Sequence, residues 1–416
     1  MRNARNVARN DYTLIAFDQN GNERRDEEGN LGSAKAASRI QQEPVTDVFV
    51  MSHGWQGDIP AALAQYNDWT GAMLANTDDL ARISALRPGF KPLLAGIHWP
   101  SRPWGDEQVI ASFALDMDPA ADFAQRLGNT PEIRDAVQRV FAATALTVDL
   151  NVMPPELEQA YRDLDQALGM GAAGLGGPPG ADRQPFDPRA VFAQARDAAS
   201  GQGVSFGSFS LPSLLEPLRV LSFWKMKDRA RIIGEGAGVD LLGTLRQAAG
   251  TRPLRFHLMG HSFGCIVVSA MMARFPVQSA VLVQGAMSLW SYSPRGYFKT
   301  EQVTGPIVTT ISRFDRAVGF FYPLGAGIAR QVSFEMPELP LYGGVGSFGL
   351  QGIEHITSVA SMLPSTEQYN FQPGQIYNIE SSNIIKSTSD PIAGAHSDIS
   401  HPEVGHLLWQ AAMPQS

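Results

Sequence analysis

The sequence predicts an α/β fold: a mostly parallel, doubly wound sheet with helices on both faces. Three observations predict it. Short apolar runs of strand length recur, "VTDVFVMSHGW" and "FKPLLAGIHWPS" early in the chain, "PLRFHLMG", "SAVLVQGAM" and "GPIVTTISRFD" late in it. The stretches between them carry apolar residues at helical spacing and are long enough for a crossover. The runs are nearly continuous rather than alternating, as in strands covered on both faces.

The elements follow in order. Residues 12–17, "YTLIAF", form a first strand, and the Asn-Gly of "DQNGNER" marks a tight turn. The run ending at Trp55 is a second strand. It leads into one helix, "IPAALAQYNDWTGAMLANTDDLARI", where Ala62, Leu63, Tyr66, Trp69, Met73 and Leu74 recur at helical spacing. A third strand ends at Pro100. Residues 105–213 break this rhythm. Helical stretches such as "PPELEQAYRDLDQALGM" adjoin "GAAGLGGPPGADRQPFDP", too rich in Gly and Pro for regular structure. The chain therefore divides into a main domain, 1–104 and 214–416, and a largely helical insertion, 105–213, with a flexible Gly/Pro-rich segment.

After the insertion the pattern is helical again, with a break near Gly234–Gly238. Lys225, Lys227, Arg229 and Arg231 beside Leu221, Phe223 and Trp224 suit either a membrane-surface helix or one packed on the sheet, and the second is the commoner origin of such a face. Strand, helix ("CIVVSAMMARF"), strand, strand, a long loop, "GQIYNIESSNII" as the last strand and "PEVGHLLWQAA" as the last helix complete the chain.

A chain of 416 residues with 44% hydrophobic content buries a large core. Its net charge of -8 comes without long runs of one sign, which argues against nucleic acid or an anionic membrane as the main partner. No run approaches the roughly 18 apolar residues of a membrane span, and the N-terminus lacks a secretory apolar stretch. With Cys265 alone, no internal disulfide forms, so a reducing, cytoplasmic location is expected.

Gly-x-Ser-x-Gly occurs twice, around Ser205 and around Ser262. A serine delivered by a strand, flanked by glycines where a strained turn leaves no room for side chains, and followed at once by a helix, is a nucleophile elbow. Ser262 has all three features; Ser205 follows "DAASGQG" and precedes Pro212, as a loop serine would. A serine hydroxyl needs an imidazole base, and the base needs a carboxylate to hold its tautomer. The base belongs in the loop after the last strand, where His396 is placed to reach inward, ahead of His401, which starts the last helix. His406 lies within that helix. The three succeed one another at intervals of five and share no helical face, so no metal site is expected. Asp315, at the end of "GPIVTTISRF", leads as the acid over Asp398 and Glu380, although an Asp there also suits a helix N-cap. The oxyanion donors are the backbone N–H of Phe263 and that of Trp55, with Gln56 second to Trp55. His53 shapes that loop.

In order, "VMSHGWQGD", "IHWPSRPWG", "LMGHSFG", "ISRFDRAVG" and "GAHSDISHPE" resemble the landmarks of the α/β-hydrolase superfamily, and above all its serine esterase and lipase-like members with His-Gly-Trp and Trp-Pro-Ser segments. The resemblance covers roughly 12–104 and 214–412. It implies an α/β-hydrolase fold and a serine hydrolase without cofactor or metal, with Ser262 as nucleophile, Asp315 as acid, His396 as base and Trp55 and Phe263 as oxyanion donors. The substrate would be a small-molecule or lipid ester or related acyl compound, cleaved through an acyl-enzyme, with the insertion as lid or pocket wall. Acyl transfer by the same triad and a non-catalytic binding protein on the same fold are the alternatives. The long insertion and the Cys265 that follows the elbow depart from the family pattern.

Overall fold

The computed structural model of the chain describes residues 12–55, 58–101, 118–147, 152–199, 213–321, 339–390 and 393–413. Strands β1 (Tyr12–Ala16), β2 (Asp47–Ser52), β3 (Pro92–His98), β4 (Arg255–His261), β5 (Ser279–Val283), β6 (Ile307–Ile311), β7 (Ile356–Val359) and β8 (Ile376–Glu380) form one sheet. Its order is β1-β3-β2-β4-β5-β6-β8-β7, and every neighbouring pair is parallel. The α/β expectation therefore holds, and the sheet is parallel throughout.

Helices cover both faces. Gly32–Gln42, Glu216–Ile233, Val239–Ala248 and Gly264–Met272 pack on one side, Ile59–Ala75, Thr77–Leu86 and Pro402–Ala412 on the other. Val48 and Val50 of β2 join the first cluster, Phe49 and Met51 the second, the period-two alternation of a strand buried on both sides.

Several elements differ from expectation. The helix after β2 is two helices: Asp58 caps the first by accepting the Ala61 N–H at 2.9 Å, and Asn76 ends it, its amide donating to Ala72 O and Pro402 O. The glycines 234–238 do not break a helix. They form a π-helical turn joining Glu216–Ile233 to Val239–Ala248, and Gly234 has αR angles. A Cβ on Gly234 would stand 2.3 Å from Val267 O and one on Gly238 2.6 Å from Met271 Cγ, so they are there for close packing against Gly264–Met272. The helix Glu216–Ile233 is buried along most of its length, as a packed helix must be and a membrane-surface helix is not. Among the described residues no helix is long and apolar enough to cross a membrane.

Within the insertion, Pro119–Leu127, Pro131–Leu146, Pro155–Leu168 and Pro188–Ala199 each open on a proline, which loses no helical hydrogen bond there. They share a core with Leu214, Leu215, Leu218 and Leu221, so the helix Glu216–Ile233 roots the insertion in the main domain. The Gly/Pro-rich segment has no regular structure, yet it is pinned: Asp182, buried, accepts from Lys227 Nζ at 2.6 Å, and Lys227 lies 4.4 Å over the Trp224 ring. Ser205 lies outside the described residues.

Candidate active site

Strand order reverses between β2 and β4: the chain leaves β2 toward β3 on one side and returns past it to β4 on the other. At such a switch point the loops following the two strands part and leave a crevice at their carboxyl ends. Ser52 of β2 pairs with Gly260 of β4, so two residues on, Gly54 comes beside Ser262. A Cβ on Gly54 would stand 2.5 Å from Ser262 Cβ.

Ser262 has φ +55, a left-handed conformation unusual for a residue with a side chain, and the strained turn delivers it between β4 and the helix Gly264–Met272. The flanking glycines have no alternative. A Cβ on Gly260 would be 2.5 Å from Gly264 O, and one on Gly264 2.1 Å from Ser52 O. The Cys265 thiol lies behind the elbow, buried and 3.2 Å from Gly260 O, and burial pushes its pKa well up, so it packs as a small apolar group.

Asp315 lies in the turn after β6, with its own N–H bonded to Ser312 O. Its carboxylate does two things. Oδ1 accepts the Val318 N–H at 2.9 Å, a cap on the turn that follows, and Oδ2 accepts from His396 Nδ1 at 2.8 Å. One carboxylate thus caps the turn and holds His396. The structure thus brings His396 and Asp315 together and not His401, whose Nε2 is 3.0 Å from Asp398 Oδ1. Glu380 accepts from Ser382 N–H, and His406 is paired with Asp79 at 2.6 Å inside the fold. With Nδ1 engaged by Asp315, His396 Nε2 makes no hydrogen bond to Ser262 Oγ among the described residues.

The N–H groups of Phe263 and Trp55 take part in no hydrogen bond among the described residues. Gln56 lies outside the described residues. The Trp55 ring stands against Phe223 and Phe263, at 5.5 and 6.0 Å between centroids. His53 braces the loop from behind. Its backbone N–H bonds to the Tyr66 hydroxyl, Nδ1 donates to Gly54 O at 2.9 Å, and Nε2 accepts from His98 Nδ1 at 3.0 Å. Burial, with the charge of His98 adding, pushes its pKa down to about 3, so it is neutral and no base.

Two supporting residues were not foreseen. Gln284, with φ +47 at the end of β5, donates its amide nitrogen to Asp315 Oδ2 at 2.7 Å and to Gly346 O, while its oxygen accepts from Thr310; only this orientation satisfies both ends. His261, immediately before Ser262, donates Nε2–H to His396 O at 2.9 Å and accepts from Gln65 Nε2 at 3.2 Å. Burial and the neighbouring His396 charge hold its pKa at about 3. Adjacency to Ser262 was the only sequence signal for His261, and Gln284 had none.

A hydrogen-bonded Ser–His–Asp chain lies at the opposite end of the sheet. Ser279 Oγ is 2.8 Å from His257 Nδ1, His257 Nε2 is 3.0 Å from Asp47 Oδ1, and Arg87 holds the same oxygen at 2.7 Å. These three are at most 1% exposed and sit in the strand ladder itself, at the amino ends of β2 and β5. This is an internal polar strut; the group at the carboxyl ends is the candidate site. Among the described residues no cluster of three or more His, Cys, Asp or Glu side chains could hold a metal. No family model, no curated protein and no solved structure matches the chain.

Proposed function

We propose that the chain is a serine hydrolase of the α/β-hydrolase type that cleaves a carboxylic ester or related acyl bond. The observation that carries this reading is the conjunction of a serine at φ +55 on a strand-to-helix turn with a His396–Asp315 bond of 2.8 Å presented at the same edge of the sheet. Ser262 Oγ attacks the acyl carbon and passes its proton to His396 Nε2. Asp315 holds the imidazole with Nδ1 protonated and stabilises the imidazolium that forms. The oxyanion is met by the N–H groups of Phe263 and Trp55, helped by the positive end of the helix Gly264–Met272. His396 then returns the proton to the leaving alcohol, and a water repeats the sequence on the acyl-enzyme.

The open Ser262–His396 link is the observation that favours a second reading, a binding protein that keeps the fold without catalysis. In unliganded serine hydrolases this bond is often long and tightens on substrate, which keeps the first reading ahead. Acyl transfer to an acceptor other than water would use the same residues and differ only in product. The lone, buried Cys265 suits a reducing, cytoplasmic setting. Turnover of p-nitrophenyl butyrate and labelling by a fluorophosphonate should both be abolished in Ser262→Ala; equal rates in wild type and variant sink the proposal.

A further inference from the structure

The loop carrying His396 is tied firmly to the acid. Arg316 N–H bonds to Ala393 O at 3.1 Å, Ala395 N–H to Phe314 O at 2.8 Å, and Gly394 bridges to Asp315. Gly394 has φ +60, and a Cβ there would stand against Phe314 O, so the loop follows the Asp315 turn because this residue is glycine. None of these bonds reaches the nucleophile's strand. Among the described residues, the hydrogen bond that joins that strand to the base loop is His261 Nε2–H to His396 O, at 2.9 Å.

We propose that His261 is a positioning residue that sets the separation between the hydroxyl of Ser262 and the imidazole of His396. His261 is the last residue of β4, its backbone held in register with Val283 of β5, so its end of the clamp cannot drift. Gln65, from the helix Ile59–Ala75, donates to Nδ1 and leaves the proton on Nε2, the nitrogen that faces the His396 carbonyl. The Trp69 ring stands edge-on to the His261 imidazole at 6.2 Å, and the His261 and His396 rings lie 4.9 Å apart. One side chain thus joins the strand of Ser262 directly to the loop of His396, where the acid-side link runs through β5 and Gln284. A misplacement of about 1 Å between reacting groups is enough to lower a rate by roughly 100-fold.

This inference rests on the serine hydrolase reading. Its test uses p-nitrophenyl butyrate hydrolysis over a range of pH by the wild type, Ser262→Ala, His261→Ala and His261→Gln, with fluorophosphonate labelling and thermal melting of each. His261→Ala should lower kcat by about 10- to 100-fold with KM held within about twofold, because the lost interaction orders the reacting groups rather than the substrate. The acidic limb of the pH profile should stay in place, since the Asp315–His396 pair is untouched. His261→Gln, whose amide nitrogen reaches toward the place of Nε2, should recover most of the rate. A kcat for His261→Ala within about twofold of wild type overturns the inference, as does a shifted limb or a folded His261→Gln no better than the alanine variant. A wild type that neither turns over ester nor takes the label overturns the underlying reading, and the inference with it.

Discussion

Three imidazoles behind the candidate site should make the fold collapse in mild acid. Burial first, then neighbouring charge, pushes His53 and His261 down to about 3 and His98 to about 4, against 6.5 for an ordinary histidine. His98 does feel some opposing pull from Asp58, and burial outweighs it. In each case the fold binds the neutral ring and the unfolded chain takes up a proton as pH drops. The stability they contribute is complete above pH 6.5 and is lost as pH falls toward 4 and below. At pH 4.5 each ring withdraws about 2–3 kcal/mol, and the three together a large part of the roughly 5–15 kcal/mol total stability of an ordinary domain. His257 is also lowered by burial and acts in the same direction. Carboxylates held low in the fold titrate lower and add to the loss from about pH 5 downward.

The assay is urea unfolding followed by tryptophan fluorescence, for which buried Trp69, Trp99, Trp224 and Trp409 supply the signal. Between pH 6 and 4.5 the unfolding free energy should fall by about 4 kcal/mol per pH unit, near 1.4 for each imidazole. His98→Gln, which can still donate to His53, should reduce that slope by about a third, whatever it does to stability at pH 8. An unfolding free energy that is flat from pH 7.5 to 4.5 would refute the reasoning, because it requires these rings to be as easily protonated in the fold as in the unfolded chain.

The remaining two outcomes concern the strands' opposite ends. Gly54→Ala places a methyl 2.5 Å from Ser262 Cβ, so ester turnover should drop by about 100-fold or more and the melting temperature should fall; unchanged turnover in the folded variant would mean that this loop does not abut Ser262. Ser279→Ala should leave ester turnover within about twofold of wild type yet destabilise the fold by roughly 1–3 kcal/mol, because His257 Nδ1 loses its buried partner. Loss of turnover in a well-folded Ser279→Ala would instead make the internal strut part of the chemistry.

Much of this was legible because its signals are local. A strand that delivers Ser262, two glycines and a helix fall within twenty residues, and their steric reason is visible once the backbone closes on itself at Gly260 and Gly264. Asp315 and His396 were legible by order and by position after strands. What escaped depends on partners far away in sequence. His261 bonds to a carbonyl 135 residues on, and Gln284 finds its acid only because β5 and β6 are neighbours. The glycines of 234–238 look like punctuation along the chain and act as contact surface across it, since local composition cannot say which helix lies alongside. β7 was overlooked because "ITSV" is half exposed at the sheet edge and lacks the apolar run of the central strands.

The serine, histidine and aspartate joined by hydrogen bonds throughout are Ser279, His257 and Asp47, whereas Ser262 stands open to the His396–Asp315 pair, so hydrogen-bond geometry alone is a poor guide to chemistry. Direction separates them. In a wholly parallel sheet every strand discharges its chain at the same edge, so the loops holding Gly54, Ser262, Gln284, Asp315 and His396 converge there, while Asp47 and Ser279 begin strands and face incoming turns. Strain is distributed in the same sense. Of the three described non-glycine residues with positive φ, two, Ser262 and Gln284, end the adjacent strands β4 and β5. Each such conformation costs of order 1–3 kcal/mol and persists only where the surroundings over-determine it. Here the surroundings are the Val283 carbonyl bonded to Ser262 N–H, a ladder bond carried one residue past β4, and the Thr310 side-chain hydroxyl bonded to Gln284 N–H. The buried strut has no such residue; it lies in relaxed strand backbone, and its bonds stabilise what they join. In the sheet, the fold therefore holds its backbone out of the relaxed regions at the edge where Ser262 and Gln284, the support of Asp315, lie.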